Sequence, residues 1–273
     1  MKQKLLSKTI FLTLNIIFAF IIVIPVLYCV DISFMTQKEL FSYPPRFLPQ
    51  SIHFDNYRNA LRMAPFPRFI LNSFIVSTTV MIGQLLTGSL AAYAFSILRF
   101  KGKNLLFNLM LCTMMIPGQA IIISNYLTIA SWRLTDTYFA LFLPYLATAF
   151  AVFNMRQAFL QLSTEIREAA VIDGCRNFRF FWQIAIPLVR PQLGALGIYV
   201  FLNNYNQYLW PLLVTNKAAM RTVQVGVASL RLEVANFGMI LAGVTIILIP
   251  SILIFLIGQK QLISGLTAGA IKG

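Results

Sequence analysis

Only eight acidic residues are present in the 273-residue chain, and three of them, Glu165, Glu168 and Asp173, fall within nine residues. Carboxylates gathered this way can start a helix, pair with a basic partner or hold a metal ion. A metal site needs His, Cys or further acids at ligand spacing. The one histidine, His53, lies far off in a polar stretch and reads as a solvated or loop-packing side chain, and Cys29, Cys112 and Cys175 sit in three separated segments without C-x-x-C spacing. The sequence thus names no catalytic residue, no metal ligand and no disulfide framework, and leaves the acids to helix capping and partner binding. A second group is neutral: Asn203, Asn204, Asn206 and Gln207, interleaved with Tyr205, Tyr208 and Trp210. Amides and aromatic rings suit sugar hydroxyls and ring faces. They suit hydrogen bonding between helices equally well. Gln119, Ser124 and Asn125 form a lesser set of the same kind.

The elements that position these residues follow from composition. The chain is 58% hydrophobic and 11% charged, with 22 Lys+Arg against 8 Asp+Glu and a net charge of +14. Soluble domains run at roughly 45–50% apolar and about 25% charged. So large an apolar share cannot be hidden from water in one soluble core, which excludes a soluble enzyme, a disordered chain and a soluble nucleic-acid binder. The basic excess then belongs to loops at a membrane face.

A membrane helix needs roughly 20 apolar residues. Six stretches meet or approach this length: residues 9–30, 69–98, 105–129, 138–153, 193–214 and 237–257. The fourth is short and is expected to extend at one end. No charged residue falls inside any of them, as the cost of charge at membrane depth requires. The first follows Lys2, Lys4 and Lys8 but is too long for a signal-peptide core and reads as a retained anchor. Placing the N-terminus in the cytoplasm puts 13 basic residues inside and nine outside, and the short loops agree, with Arg99, Lys101 and Lys103 crowded on the inner side. Both termini are then cytoplasmic.

Gly83, Gly88, Ser89, Ala91, Ala92 and Ala94 give the second span a small face that lets helices approach closely. Gly83 and Gly88-Ser89 echo half of a phosphate loop, but the Lys is missing and the stretch is apolar. Pro25, Pro117, Pro144, Pro211 and Pro250 kink or end helices, as structural bends or as hinges.

Between spans four and five lies an inner loop, residues 154–191. Ser163-Thr164-Glu165 is a helix start with acid in the first turn, and Gly174 is a stop. Asn177 is placed to cap a second helix from Phe178 to about Ala185, closed by Pro187 and Pro191. Phe178, Phe180, Phe181 and Trp182 give this second helix an aromatic side that seeks the membrane interface. On pattern alone the loop is either an anchor for span five or a docking element for a cytoplasmic partner.

Glu168-Ala169-Ala170-x-x-Asp173-Gly174, followed by Ile184-Ala185-Ile186-Pro187-x-x-x-Pro191, resembles the EAA motif of ABC importer permeases, with Cys175 where the family usually has Ala. The stretch from Asn206 to Leu213 and the tail from Gly265 to Gly273 resemble carbohydrate-importer permeases of the maltose and glycerol-phosphate type. The likeness implies an all-α, six-span, multi-pass protein with the type I ABC importer permease fold, in the bacterial cytoplasmic (inner) membrane. It implies one permease domain over residues 1–273, with core helices at about 69–258, a coupling loop at 154–191 and a C-terminal tail at 259–273.

The implied function is that of a permease subunit moving a sugar, oligosaccharide or related polyol, or alternatively glycerol-3-phosphate or a phosphodiester. The implied partners are a homologous second permease, two ABC ATPases, an extracytoplasmic solute-binding protein, the solute and membrane lipid, with no nucleic acid. The chain is not an enzyme: ATP and Mg belong to the ATPases, and it binds no cofactor of its own. Glu168, Ala169, Ala170, Asp173, Gly174 and Pro187 are the implied ATPase-coupling residues. Gly265, Leu266, Thr267 and Gly269 are implied to reach between the ATPases, unless the tail is a frayed terminus. Asn203, Asn204, Asn206, Gln207, Tyr208 and Trp210 are candidates for the solute pathway. Two rivals remain from topology: an integral membrane enzyme, for which the spans lack acids and His, and a receptor or scaffold that recruits a partner without transport.

Overall fold

The structure is a computed structural model that describes the backbone of residues 2–233 and 236–267 and the side chains of residues 8–230 and 236–261. Among the described residues it is built of helices and turns, without strands. In chain order the α-helices are α1 (Lys2–Ser33), α2 (Gln37–Leu40), α3 (Asp55–Met63), α4 (Phe66–Ser96), α5 (Lys103–Thr113), α6 (Gly118–Ser131), α7 (Tyr138–Phe142) and α8 (Ala149–Leu160). They continue as α9 (Thr164–Ile172), α10 (Asn177–Phe180), α11 (Ile186–Leu188), α12 (Arg190–Tyr205), α13 (Leu209–Val214), α14 (Val223–Glu233) and α15 (Phe237–Thr267).

Three unbroken helices are long and apolar enough to cross a membrane: Lys8–Ser33, Phe66–Ser96 and Phe237–Gln261. Three bent pairs bring the number to six: Lys103–Thr113 with Gly118–Ser131 at 93°, Tyr138–Tyr145 with Ala149–Leu160 at 47°, and Asn177–Leu188 with Arg190–Tyr205 at 78°. The prolines divide accordingly. Pro25 and Pro250 ride inside continuous helices. Pro117 caps α6 at the sharpest bend, and Pro144 sits in the 3-10 turn Leu143–Tyr145 that ends the α7 segment.

The fourth span extends at its C-terminal end to Leu160, as its shortness requires. The fifth differs from the sequence reading of one run over 193–214. Helix α12 starts at Arg190 and stops at Tyr205, and a separate short helix follows after Asn206–Tyr208. The amides cause the stop. Asn204 and Asn206 turn their side-chain N–H groups back onto the carbonyls of Val200 and Leu202, at 2.8 and 2.9 Å, competing with the backbone ladder.

The chain forms two compact units. The first comprises Met1–Phe66 and Gly226–Ile249. In it, buried Asn56 donates to the carbonyls of Ser33 and Met35 at 3.0 and 2.8 Å, satisfying the end of α1. A β-carbon on Gly238 would lie 2.6 Å from the Asn56 amide nitrogen, so glycine is required there. Helix α2 opens with a capping box between Thr36 and Glu39.

The second unit comprises Pro67–Val225 and Pro250–Gly273. Its core gathers α4, α8, the 163–189 loop and α12 around Tyr93, Phe159, Phe181, Val200 and Trp210. The small face of α4 is used as its residue types suggest. A β-carbon on Gly83 would meet Leu146 at 2.6 Å, and one on Gly88 would meet Ala151 at 3.0 Å. At the C-terminal end of α4, Lys103 donates to the carbonyls of Ser96 and Leu98, both at 2.9 Å. Arg156 donates to Phe95 O at 3.1 Å while its guanidinium lies 4.0 Å from the Phe107 ring centre. Both basic groups thus satisfy orphan carbonyls of the last turn.

Candidate functional site

Two arrangements in the second unit have the chemistry of a site. The first is the 163–189 loop. Helix α9 begins after Ser163, whose backbone is extended but whose side chain makes no capping bond. Its end is a Schellman turn: Cys175 N–H donates to Ala170 O at 2.8 Å, Gly174 N–H donates to Val171 O at 3.0 Å, and Gly174 takes φ +71°. Only glycine adopts this backbone without a steric cost. Ala170 is 4% exposed and Cys175 packs against the same core, so a small residue is what position 175 demands.

This anchoring leaves the opposite side bare. Glu168, Ala169, Asp173 and Gly174 are exposed. Val171 and Ile172 show 64% and 85% of their surface. An exposed apolar pair flanked by two carboxylates on a fixed short helix is a contact surface in want of a partner.

The second half of the loop departs from the sequence reading. Asn177 is the first helical residue rather than the cap, and Arg176 takes the cap position without a side-chain bond. Helix α10 passes into a wide turn over Phe181–Ala185, then into α11. The aromatic residues do not share one interfacial side. Phe178 and Trp182 are exposed, but Phe180 and Phe181 are buried against Tyr93, whose hydroxyl donates to Asn177 O at 2.9 Å. With four aromatics in five positions of a helical turn, some must face inward. Pro187, half-buried, lies at the first turn of α11, where its missing N–H costs nothing.

The second arrangement is a cavity of about 200 Å³ lined by Asn203, Asn204, Gln207, Gln84, Tyr145, Thr148 and Tyr199, with Phe150 and Val200. It forms where the fourth span breaks. Gln84, 5% exposed, donates to Tyr145 O at 2.8 Å and accepts from the Thr148 hydroxyl at 3.0 Å. Thr148 in turn accepts from Ala151 N–H, capping α8. Thr87 donates to Leu146 O at 2.9 Å. The carbonyls freed by the break are therefore capped by side chains of α4, the condition under which broken backbone is tolerated at membrane depth. The rings of Tyr199 and Phe150 lie 5.0 Å apart. Among the described residues, no charged side chain lines this cavity.

The pathway candidates thus separate. Asn203, Asn204 and Gln207 line the cavity. Asn206 faces away and accepts from Gln224 at 3.2 Å, and Tyr208 is exposed. Trp210 is 1% exposed and donates from its indole to Ala140 O at 2.9 Å, which places it in the core. Gln119, Ser124 and Asn125 sit on α6 and are not among the residues that line the cavity. Gln84, Tyr145, Thr148 and Tyr199 escaped the sequence reading. A glutamine amide midway along a membrane span was the signal for the first of them. Gly269 lies outside the described residues, and Gly265, Leu266 and Thr267 are described only as backbone of α15.

Relatives share this frame. The chain is 34% identical over 259 residues to the arabinooligosaccharides transport system permease protein AraQ of Halalkalibacterium halodurans, covering 93% of each chain. It is 37% identical over 205 residues to the sn-glycerol-3-phosphate transport system permease protein UgpE of Yersinia pestis bv. Antiqua, covering 74% of this chain and 73% of the other. A crystal structure of a bacterial ABC transporter involved in the import of the acidic polysaccharide alginate contains a chain with the same fold, at TM-score 0.79 and 22% identity over 95% of this chain and 98% of that one. Residues 84–265, from the glutamine that clamps the broken span to the end of the last helix, match one family over most of the second unit. With its six candidate spans, the chain belongs to the family of binding-protein-dependent transport system inner membrane components.

Proposed function

We propose that the chain is the permease subunit of an ATP-driven importer that carries a neutral sugar, oligosaccharide or polyol. The observation that carries the substrate class is the lining of the 200 Å³ cavity: amides, hydroxyls and aromatic rings without an Arg or Lys to meet a phosphate. That lining favours the sugar of the arabinooligosaccharide relative over the glycerol phosphate of the other. Amide groups satisfy sugar hydroxyls, and the Tyr199 and Phe150 rings offer faces to a pyranose.

The family is binding-protein-dependent, so the partners are an extracytoplasmic binding protein, a homologous second permease and two ABC ATPases that hold ATP and Mg. The sequence has no complete Walker A loop, and hydrolysis belongs to those ATPases. In this reading both termini and the 163–189 loop are cytoplasmic, so that of the 78° pair only Arg190–Tyr205 crosses the membrane. Helix α9 is the contact that receives ATPase motion. Val171 and Ile172 seat in an apolar cleft, Glu168 and Asp173 meet basic or N–H groups, and Ala169 allows close approach. The tail at Gly265, Leu266, Thr267 and Gly269 lies between the ATPases.

Reconstitution in liposomes with the cognate ATPases and binding protein tests this. A neutral sugar held by the binding protein should stimulate ATP turnover and appear inside. Stimulation by a phosphorylated solute alone would exchange the substrate class, and no uptake of any solute the binding protein retains would overturn transport itself. Unchanged turnover and uptake after deletion of residues 266–273 would remove the tail from the mechanism.

A further inference from the structure

A second cavity in this unit is apolar rather than polar. An apolar groove of about 590 Å³ runs within the second unit between α4, α12 and the second half of α15. Its floor is opened by glycines. Gly194 and Gly197 sit one turn apart on α12, and Gly258 on α15 is so close that a β-carbon there would meet Ile198 at 2.5 Å. Its lining is apolar apart from Ser89 and Gln261. The rim is exposed to the side, with Leu86 at 45% and Ile257 at 77% exposure. From Leu193 to Phe201 the groove follows α12 for about 12 Å. Water finds few hydrogen-bond partners in such a lining, and in a chain that spans a membrane the neighbouring phase is lipid.

One end differs from the rest. At the start of α12, Gly194 faces Gln261 of α15, Trp182 and Ile186 of the preceding segment also line the groove, and basic residues flank these positions in sequence. Arg179 precedes Trp182 by three residues, Arg190 precedes Gly194 by four, and Lys260 adjoins Gln261. Arg179 donates to Gln183 at 2.8 Å. The ion pair between Arg58 and Asp55 is the only one among the described residues, so none of these three cations is paired with a described carboxylate. A half-exposed Trp, a cationic rim and an apolar channel together match the interfacial ring, headgroup and acyl chain of an anionic phospholipid.

We infer that this groove binds the acyl chain of an anionic phospholipid whose phosphate meets Arg190 and Lys260. The inference depends on the membrane-spanning fold and not on the solute. The test is native mass spectrometry of the full chain, purified in mild detergent after exchange with equal amounts of phosphatidylglycerol and phosphatidylethanolamine. The expected result is one retained phospholipid per chain, with phosphatidylglycerol favoured about fivefold or more. Arg190→Gln with Lys260→Gln should bring the ratio near one while retention persists. Arg99→Gln with Lys101→Gln should leave the ratio unchanged. Gly194→Leu should abolish retention, and Ile257→Trp at the exposed rim, where folding is not at stake, should reduce it. Absence of any retained phospholipid would overturn the inference, as would an unaltered ratio in the Arg190 and Lys260 double variant. Crosslinking of a cysteine placed at 194 to another protein chain would show that a permease subunit fills the groove instead.

Discussion

The hydroxyl of Thr148 donates to the side-chain oxygen of Gln84 at 3.0 Å, across 64 residues of sequence. This one bond joins the middle of an unbroken span to the point where a broken one resumes. The same Gln84 side chain donates to Tyr145 O, so a single buried amide satisfies both sides of the break. Gln84→Leu takes the donor from the Tyr145 carbonyl and the acceptor from the Thr148 hydroxyl, which keeps only its bond from Ala151 N–H, at a cost of about 1–3 kcal/mol for each buried group. The expected outcome is a lowered midpoint of thermal unfolding in detergent and lost uptake. Gln84→Glu, which keeps the acceptor for Thr148, should fall between.

Glu168→Lys places a like charge where α9 is proposed to meet its partner. Uptake should fall by about tenfold or more, the equivalent of about 1.4 kcal/mol of coupling, while the chain still assembles. ATP turnover that continued to track uptake normally in this variant would remove Glu168 from coupling.

Gly174→Ala should cost about 1 kcal/mol from the left-handed backbone alone. Space is not the issue, because nothing lies within 4 Å of a β-carbon there. Gly174→Asn, which tolerates this conformation, should recover most of the loss. Equal defects for Ala and Asn would mean that the partner, rather than the turn, requires the glycine.

Glu39 carries a pH dependence set by its loop contacts. Its carboxylate accepts from Thr36 N–H and the Thr36 hydroxyl, both at 2.8 Å, and from Gln50 N–H at 3.0 Å. These bonds hold it at about 2, against an ordinary 4.5. A carboxylate depressed on folding stabilises fully above its unfolded value, and that contribution is lost as pH falls toward the folded one. The unfolding midpoint of the native chain should therefore exceed that of Glu39→Gln above pH 4.5, and the gap should close between 4.5 and about 2. A gap that stays constant over that window would show that the charge is not what holds the loop.

Trp210→Phe removes the donor to Ala140 O while leaving most of the ring volume. The cost should be about 1–3 kcal/mol, read as stability, with solute selectivity unchanged. A shift in selectivity without a loss of stability would return Trp210 to the pathway.

Much of this was legible in the chain because membrane physics leaves few choices. Apolar length, charge exclusion and the small face of α4 all follow from groups that have no water to turn to. The Schellman turn was legible at Gly174, since a stop after Asp173 demands a left-handed residue. Less visible was where a span breaks without ending. Pro144 marked a bend, but nothing near it in sequence showed that the span resumes as α8 with its freed carbonyls held by Gln84 and Thr87 from another helix. Trp210 and the buried pair Phe180 and Phe181 were misplaced for a related reason. Aromatic residues suit both interface and core, and only tertiary packing chooses between them.

Two of the three bends of the membrane region are mechanically unlike. At Leu146–Thr148 the freed carbonyls are pinned by side chains of α4, so α4 and α8 behave as one rigid plate. At the 93° bend, residues 114–116 rest on their own local backbone turns, and Pro117 caps α6 without a side-chain bond. If α9 receives motion as proposed, the α4–α8 pair should move as a unit, and bending should concentrate at the elbow before Pro117, which no side chain of another helix pins among the described residues.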